Sequence, residues 1–172
     1  MELAAGGTDE PMTRGRGALL ALLATVVVAA LVVAAAGASR VSAAAGRADR
    51  RSAVLAAARQ QAVSFTTLDY RHLDRDLGRV LDGAAGDFRQ QFRAGTDDLS
   101  ALVTKNKAVS RGEVLDAGIV SDDADSARVL VVADSTVTNA AQQQPQQRHY
   151  RMQLDLVRSG GRWLVSDLQF VG

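Results

Sequence analysis

The sequence predicts an α+β domain, helices packed on a curved four-stranded antiparallel-type sheet, carried behind an N-terminal transmembrane helix. Three observations predict it. Ala18 to Ala38 is a 21-residue run with no charged side chain. From about Ala43 to Val103, apolar residues recur at steps of three or four. From Ala108 to the C-terminus four strand-like runs follow, one rich in β-branched residues and one alternating apolar with polar, separated by turn signals. Helices followed by an antiparallel meander is the order of an α+β layered domain.

The first element is the apolar run, ALLALLATVVVAALVVAAAGA, whose one hydroxyl is Thr25. At 1.5 Å per residue it spans about 30 Å, the hydrocarbon thickness of a bilayer. Arg14 and Arg16 flank one end and Arg40 the other. A cleaved secretory signal is the rival reading, since Ala36-Gly37-Ala38 has the small residues of a cleavage site. Signal cores usually run only about 7–15 residues, however, so a retained anchor is preferred. A buried soluble helix would need a polar partner face, and the run has none. The arginine count alone (Arg14 and Arg16 before, Arg40, Arg47, Arg50 and Arg51 after) favours a cytoplasmic domain.

Residues 1–17 are polar and glycine-containing and are expected to be a disordered tail; 18–38 is the membrane helix, 39–52 a stalk, and 53–172 the domain. In the domain's first helix, Leu55, Ala58, Ala62, Phe65 and Leu68 form a narrow apolar stripe, and no Pro or Gly interrupts it before about Arg71. Asp74 or Asp76 is expected to cap a short helix carrying Leu77, Val80 and Leu81. Gly83 and Gly86 mark a turn. Phe88 and Phe92 share a face of the next helix, and Thr96 is the expected cap of another, with Leu99, Leu102 and Val103 inward.

Four strands follow: Ala108 to Val120, Ala127 to Thr138, Arg148 to Arg158 and Arg162 to Val171. They are joined by an acidic turn at Ser121–Asp125, a Gln-rich loop at Asn139–Gln147 containing Pro145, and Ser159-Gly160-Gly161. Trp163, just after the last turn, is expected to cover the core. Such a sheet curved over a helix would leave a cone-shaped cavity, a common small-ligand site.

Composition narrows the chemistry. The net charge of +1 gives no pull toward nucleic acid. The absence of cysteine excludes disulfides, thiol catalysis and cysteine-zinc sites. No phosphate-binding loop, dinucleotide fingerprint, nucleophile elbow or H-E-x-x-H is present. No cofactor, metal site or catalytic residue is expected.

The polar candidates are few. His72 stands beside Asp74 and Asp76, but helical geometry sends i and i+2 side chains apart, so the three cannot converge. Capping or surface roles fit them better than a metal. Tyr70 with Asp69 could serve as donor and base in a cavity, against the simpler reading that Tyr70 packs its ring and bonds its hydroxyl. Asp134, mid-strand among apolar residues, would need a partner if buried. It shares a face with Arg128, Thr136 and Thr138, which suggests a wetted surface. Tyr70, Asp74, Asp76 and Asp134 are therefore the candidate cavity or interface polar residues. His149 is expected to be solvated.

Taken together, the anchor, F-x-x-x-x-Y-R-x-L-D-x-D over Phe65–Asp76, G-x-F at Gly86–Phe88, ARVLVVAD at Ala127–Asp134 and G-x-W-L-V-x-D-L at Gly161–Leu168 resemble the Mce-associated membrane proteins of actinobacteria. The resemblance covers about Ala18 to Val171. It implies a nuclear transport factor 2-like (cystatin-like) cone and a domain outside the cell membrane, against the arginine count; long domains cross largely regardless of flanking charge. It also implies a non-enzymatic accessory or assembly subunit that stabilises a mammalian-cell-entry (Mce) lipid or sterol import complex. The partners would be Mce subunits, the membrane and a lipid or sterol in the cavity, with no nucleic acid. Alternatives are a ketosteroid isomerase/cyclase-type enzyme on the same cone, which needs Asp69, Asp76 or Asp134 deep in the cavity beside Tyr70, and a type IV secretion scaffold.

Overall fold

The computed structural model describes residues 44–171, of which Ala48 onward belongs to one compact unit. The tail and the membrane run Ala18–Ala38 lie outside the described residues. Among the described residues no helix is long and apolar enough to cross a membrane.

Helix α1 runs through residues 44–66 and is followed by strand β1 (Leu68–Asp69). Three short helices come next: α2 (Leu73–Asp82), α3 (Gly86–Ala94) and α4 (Thr96–Lys105). Strands β2 (Val109–Asp122), β3 (Ser126–Thr138), β4 (Gln146–Ser159) and β5 (Arg162–Phe170) complete the domain. All five strands pair antiparallel in chain order.

The α+β class and the four long strands are as the periodicity predicts. The sheet has five strands rather than four, and the fifth explains a second difference. Helix α1 stops at residue 66, not near Arg71. Thr66 bonds its own helix, Oγ1 donating to Ala62 O at 2.7 Å. Its carbonyl accepts from Ser110 Oγ at 2.6 Å, and Thr67 Oγ1 accepts from Gly112 N–H at 3.0 Å. Two β-branched hydroxyl residues thus break the helix and stitch the chain to β2. Leu68 keeps the helical spacing from Phe65, which hides the break in the sequence. Gly112 is required here: a Cβ would come within 2.6 Å of Thr66 Cβ.

Capping differs as well. His72, not Asp74 or Asp76, is the N-cap of α2, and no side chain caps it. Gly95 is the N-cap of α4, and Thr96 turns its hydroxyl back to Phe92 O at 3.0 Å. The preceding helix thus takes the hydroxyl that was expected to cap α4.

Two apolar clusters hold the unit. In the first, β3 alternates cleanly. Ala127, Val129, Val131 and Ala133 point inward, while Arg128, Leu130 and Val132 point out. With Met152, Leu154, Leu156, Trp163 and Val165 they pack on Val54, Ala58 and Ala62 of α1. The two alanines let the helix backbone approach the sheet closely. Fully burying a residue such as Leu154 is worth about 1.5–3 kcal/mol. Gln61, also buried, ties α1 to α2 by donating Nε2–H to Val80 O at 2.9 Å.

The second cluster, the annex, is smaller: Leu73, Leu77 and Val103, with Leu68, Tyr70, Phe92, Leu99 and Ala108 packed around them. Leu102, expected inward, is instead 59% exposed. On α4 it neighbours the buried Val103 and sits at the open edge of the annex.

Candidate functional site

The main opening in the annex is an apolar cavity of about 430 Å³. Phe65, Thr66 and Leu68 form one wall, Leu99, Leu102 and Val103 of α4 a second, and Ala108, Ser110, Val137 and Tyr150 of the sheet the third. Its polar atoms are largely committed. Ser110 donates to Thr66 O, so the 2.6 Å contact between Ser110 Oγ and Ser135 Oγ has Ser135 as donor. Thr66 Oγ1 donates into α1. What remains is a hydrocarbon and aromatic lining, with the Tyr150 phenol as its one further side-chain hydroxyl.

An aromatic cluster backs the cavity. Phe65 lies 6.4 Å from Phe88, 6.1 Å from Phe92 and 6.0 Å from Phe170, centroid to centroid. Tyr150 meets Phe170 at 5.9 Å. All four phenylalanines of the chain are in this cluster. Tilted pairs at such distances add about 0.5–1.5 kcal/mol each beyond burial. Phe170 nonetheless remains 57% exposed.

The sequence candidates fall elsewhere. Asp76 is 1% exposed and works as a strut: its carboxylate accepts from Asp69 N–H at 2.9 Å, Arg75 Nε at 3.1 Å and Arg79 Nη2 at 2.9 Å. It pins β1 to α2. Asp74 is exposed in the first turn of α2, where the helix dipole favours an anion. Tyr70 packs in the annex with the Arg71 guanidinium 5.7 Å from its ring centre. The side-chain and backbone hydrogen bonds from Arg71 hold the Asp69 carboxyl well below the usual carboxylate range. Asp134 lies on the outer sheet face, 2.7 Å from His149 Nδ1, in a depression of about 290 Å³ with Leu115, Val132 and Arg151. Tyr70, Asp74, Asp76 and Asp134 are thus dispersed, and the lining of the annex cavity includes none of them.

Sequence reasoning reached Phe65, Leu99, Leu102 and Val103 as apolar positions. It missed Ala108, Ser110 and Val137 as lining residues, because β2 and β3 bring them together from positions that look like ordinary strand ends. A second groove of about 420 Å³, between α1, α2 and the β4–β5 turn, is mixed in character, with Gln60, Ser64, Arg79 and Arg162 beside Ala53, Ala57 and Trp163.

The architecture is a small α+β domain whose helices cover a five-stranded antiparallel meander. Solved structures share it. The periplasmic domain of DotI superposes with a TM-score of 0.59 at 17% identity, covering 70% of this chain and 94% of that one. An IcmL-like type IV secretion system protein from Legionella pneumophila gives 0.58 at 16% identity, covering 70% and 91%. At such identities the likeness is one of fold. By sequence, the chain belongs to the family described as uncharacterized protein Rv1363c/MT1408-like, whose pattern matches residues 17–172. The Mycobacterium tuberculosis protein Rv1363c is 33% identical over 120 residues, 70% of this chain and 46% of that protein. The chain spans about half the length of the curated relatives it matches.

Proposed function

We propose that this chain is a membrane-anchored, non-catalytic assembly subunit of a cell-envelope complex, its nuclear transport factor 2-like domain standing outside the membrane. The observation that carries the reading is the fold shared with the periplasmic domain of DotI. The uncharged run Ala18–Ala38 supplies the anchor that such placement needs. Asp76, the best-buried carboxylate among the described residues, is engaged by three donors and braces the fold. The annex cavity is lined without a carboxylate, which weighs against the ketosteroid isomerase/cyclase alternative.

The complex served is the finer part of the proposal. An Mce lipid or sterol import complex is favoured by the run of motifs from Phe65 to Leu168. A type IV secretion apparatus is the second reading, favoured by the fold shared with the IcmL-like protein. One experiment separates them. The tagged full chain is crosslinked in its native membrane, extracted mildly, and its companions identified, with subunit levels compared in a deletion strain. Recovery of Mce subunits, and their loss on deletion, supports the first; recovery of secretion-channel subunits supports the second. A chain recovered alone, with no envelope complex depleted, sinks both.

A further inference from the structure

We propose that the annex cavity is a binding site for a single-chain anionic amphiphile, with the apolar tail inside and the head group held at the rim by Lys105 and Lys107. The site does not depend on which envelope complex the chain serves, or on whether it serves one.

Three observations converge. The cavity is apolar, about 430 Å³, and its hydroxyl groups from Thr66 and Ser110 already donate within the protein. That volume lies at the small end of ligand pockets, which suits one chain better than two. Leu102 at its edge stays 59% exposed, so lining surface remains unspent.

The second observation is charge. The only two lysines in the sequence, Lys105 and Lys107, stand between the lining residues Val103 and Ala108. Both are exposed, and neither enters an ion pair among the described residues. Both lie at the C-terminal end of α4, where the helix dipole also favours a cation, so the dipole and a bound anion would draw on the same pair.

The third is backbone strain. Lys107 has φ of +48°, in the left-handed region. It closes α4 as the C′ residue of a Schellman motif, with Lys107 N–H donating to Thr104 O at 3.1 Å and Ala108 N–H to Val103 O at 3.0 Å. Glycine takes that conformation without strain. A lysine in that conformation, next in the chain to the lining residue Ala108, points to a use for its ammonium group. An ammonium is a point charge that suits a carboxylate or phosphate head, so a long-chain fatty acid is the simplest ligand.

The test uses the full chain in an amphipathic polymer free of detergent, labelled with a photoreactive fatty acid of about twelve carbons and mapped by peptide sequencing. Crosslinks are expected in α4 and the start of β2, competed by dodecanoate at least tenfold better than by dodecyltrimethylammonium. Lys107→Gly should raise Tm while weakening dodecanoate competition several-fold. Lys105→Glu with Lys107→Glu should abolish the preference for the anion. Ala108→Phe, which fills the cavity, should remove the label; should that variant misfold, the lysine variants still decide. A monoacyl phosphate used as competitor distinguishes a phosphate head from a carboxylate. Labelling outside the annex, equal competition by the cation, or a Lys107→Gly chain with higher Tm and unchanged binding would each overturn the proposal.

Discussion

The core beneath β3 and β4 and the annex beneath α4 are made of the same kinds of residue and are closed to different degrees. In the first, Val129, Met152 and Leu154 are 0% exposed, and α1 fits the sheet through alanines. In the second, Leu73 and Val103 keep 8% exposure, Leu102 sits at the open edge, and a 430 Å³ cavity stands beside them. Close packing leaves a core no spare contact surface, so the first can only stabilise. The annex has apolar surface still to offer. Tolerance to change should differ accordingly.

The largest effect should come from deleting volume in the closed core. Leu154→Ala is expected to cost about 3–4 kcal/mol, within the usual range for a buried leucine that leaves a cavity. Leu102→Ala should change stability by less than about 0.5 kcal/mol, because the side chain is mostly solvated already. Denaturant unfolding of the full chain and its two variants measures both. Similar losses for the two would erase the distinction between the regions.

The two regions also differ in how readily they can be read from sequence. The closed core was legible because β4 alternates strictly, Met152, Leu154 and Leu156 against Arg151, Gln153 and Asp155, and because β3 is a run rich in β-branched residues, although Leu130 and Val132 on its outer face hide the alternation of Val129 and Val131. The annex was not. Its boundary is set by hydroxyls of Thr66 and Thr67 meeting β2, contacts between residues more than 40 apart. Leu68 looks helical and sits in a strand; Asp76 looks like a cap and is a buried strut. Lys107 gives no sign of its left-handed backbone, since glycine is the residue that advertises that position. Of the polar candidates, the outward face of Asp134 follows from its strand parity, whereas its pairing with His149 depends on the register of β3 against β4.

A smaller effect tests what holds the annex to the rest. Asp76→Ala leaves Asp69 N–H without its acceptor and Arg79 without its partner, at an expected cost of roughly 2–3 kcal/mol. The figure is reduced from that of a fully buried pair because Arg75 and Arg79 reach solvent. Amide hydrogen exchange should localise the damage: protection at Asp69 and Tyr70 falls, while that of β3 and β4 changes only with global stability. Asp76→Asn, which keeps an oxygen acceptor, should lose less. Equal loss of protection throughout the sheet would mean that the annex and the core unfold as one unit.

The smallest effect lies on the outer face of the closed core, where Arg128 grips Asp155 at 2.6 and 2.8 Å. The hydrogen bonds from Arg128 hold the Asp155 carboxyl below its ordinary value. The sign follows from linkage. A carboxyl with a lower pKa folded than unfolded adds stability above its unfolded value, and the gain disappears as pH falls through the folded one. Asp155→Asn should therefore be slightly less stable than the parent at pH 7. The gap should close in acid, below the usual carboxylate range, and should narrow in high salt. Leu154, directly beside Asp155 in β4 but facing the opposite side of the sheet, supplies the control: its Ala variant should lose the same amount relative to the parent at both pH values. Thermal melts of the parent and both variants across pH measure the two together. An Asp155→Asn deficit that persists in acid would mean that the side chain supports the sheet by packing, and that even the solvated face of this core is held by shape rather than charge.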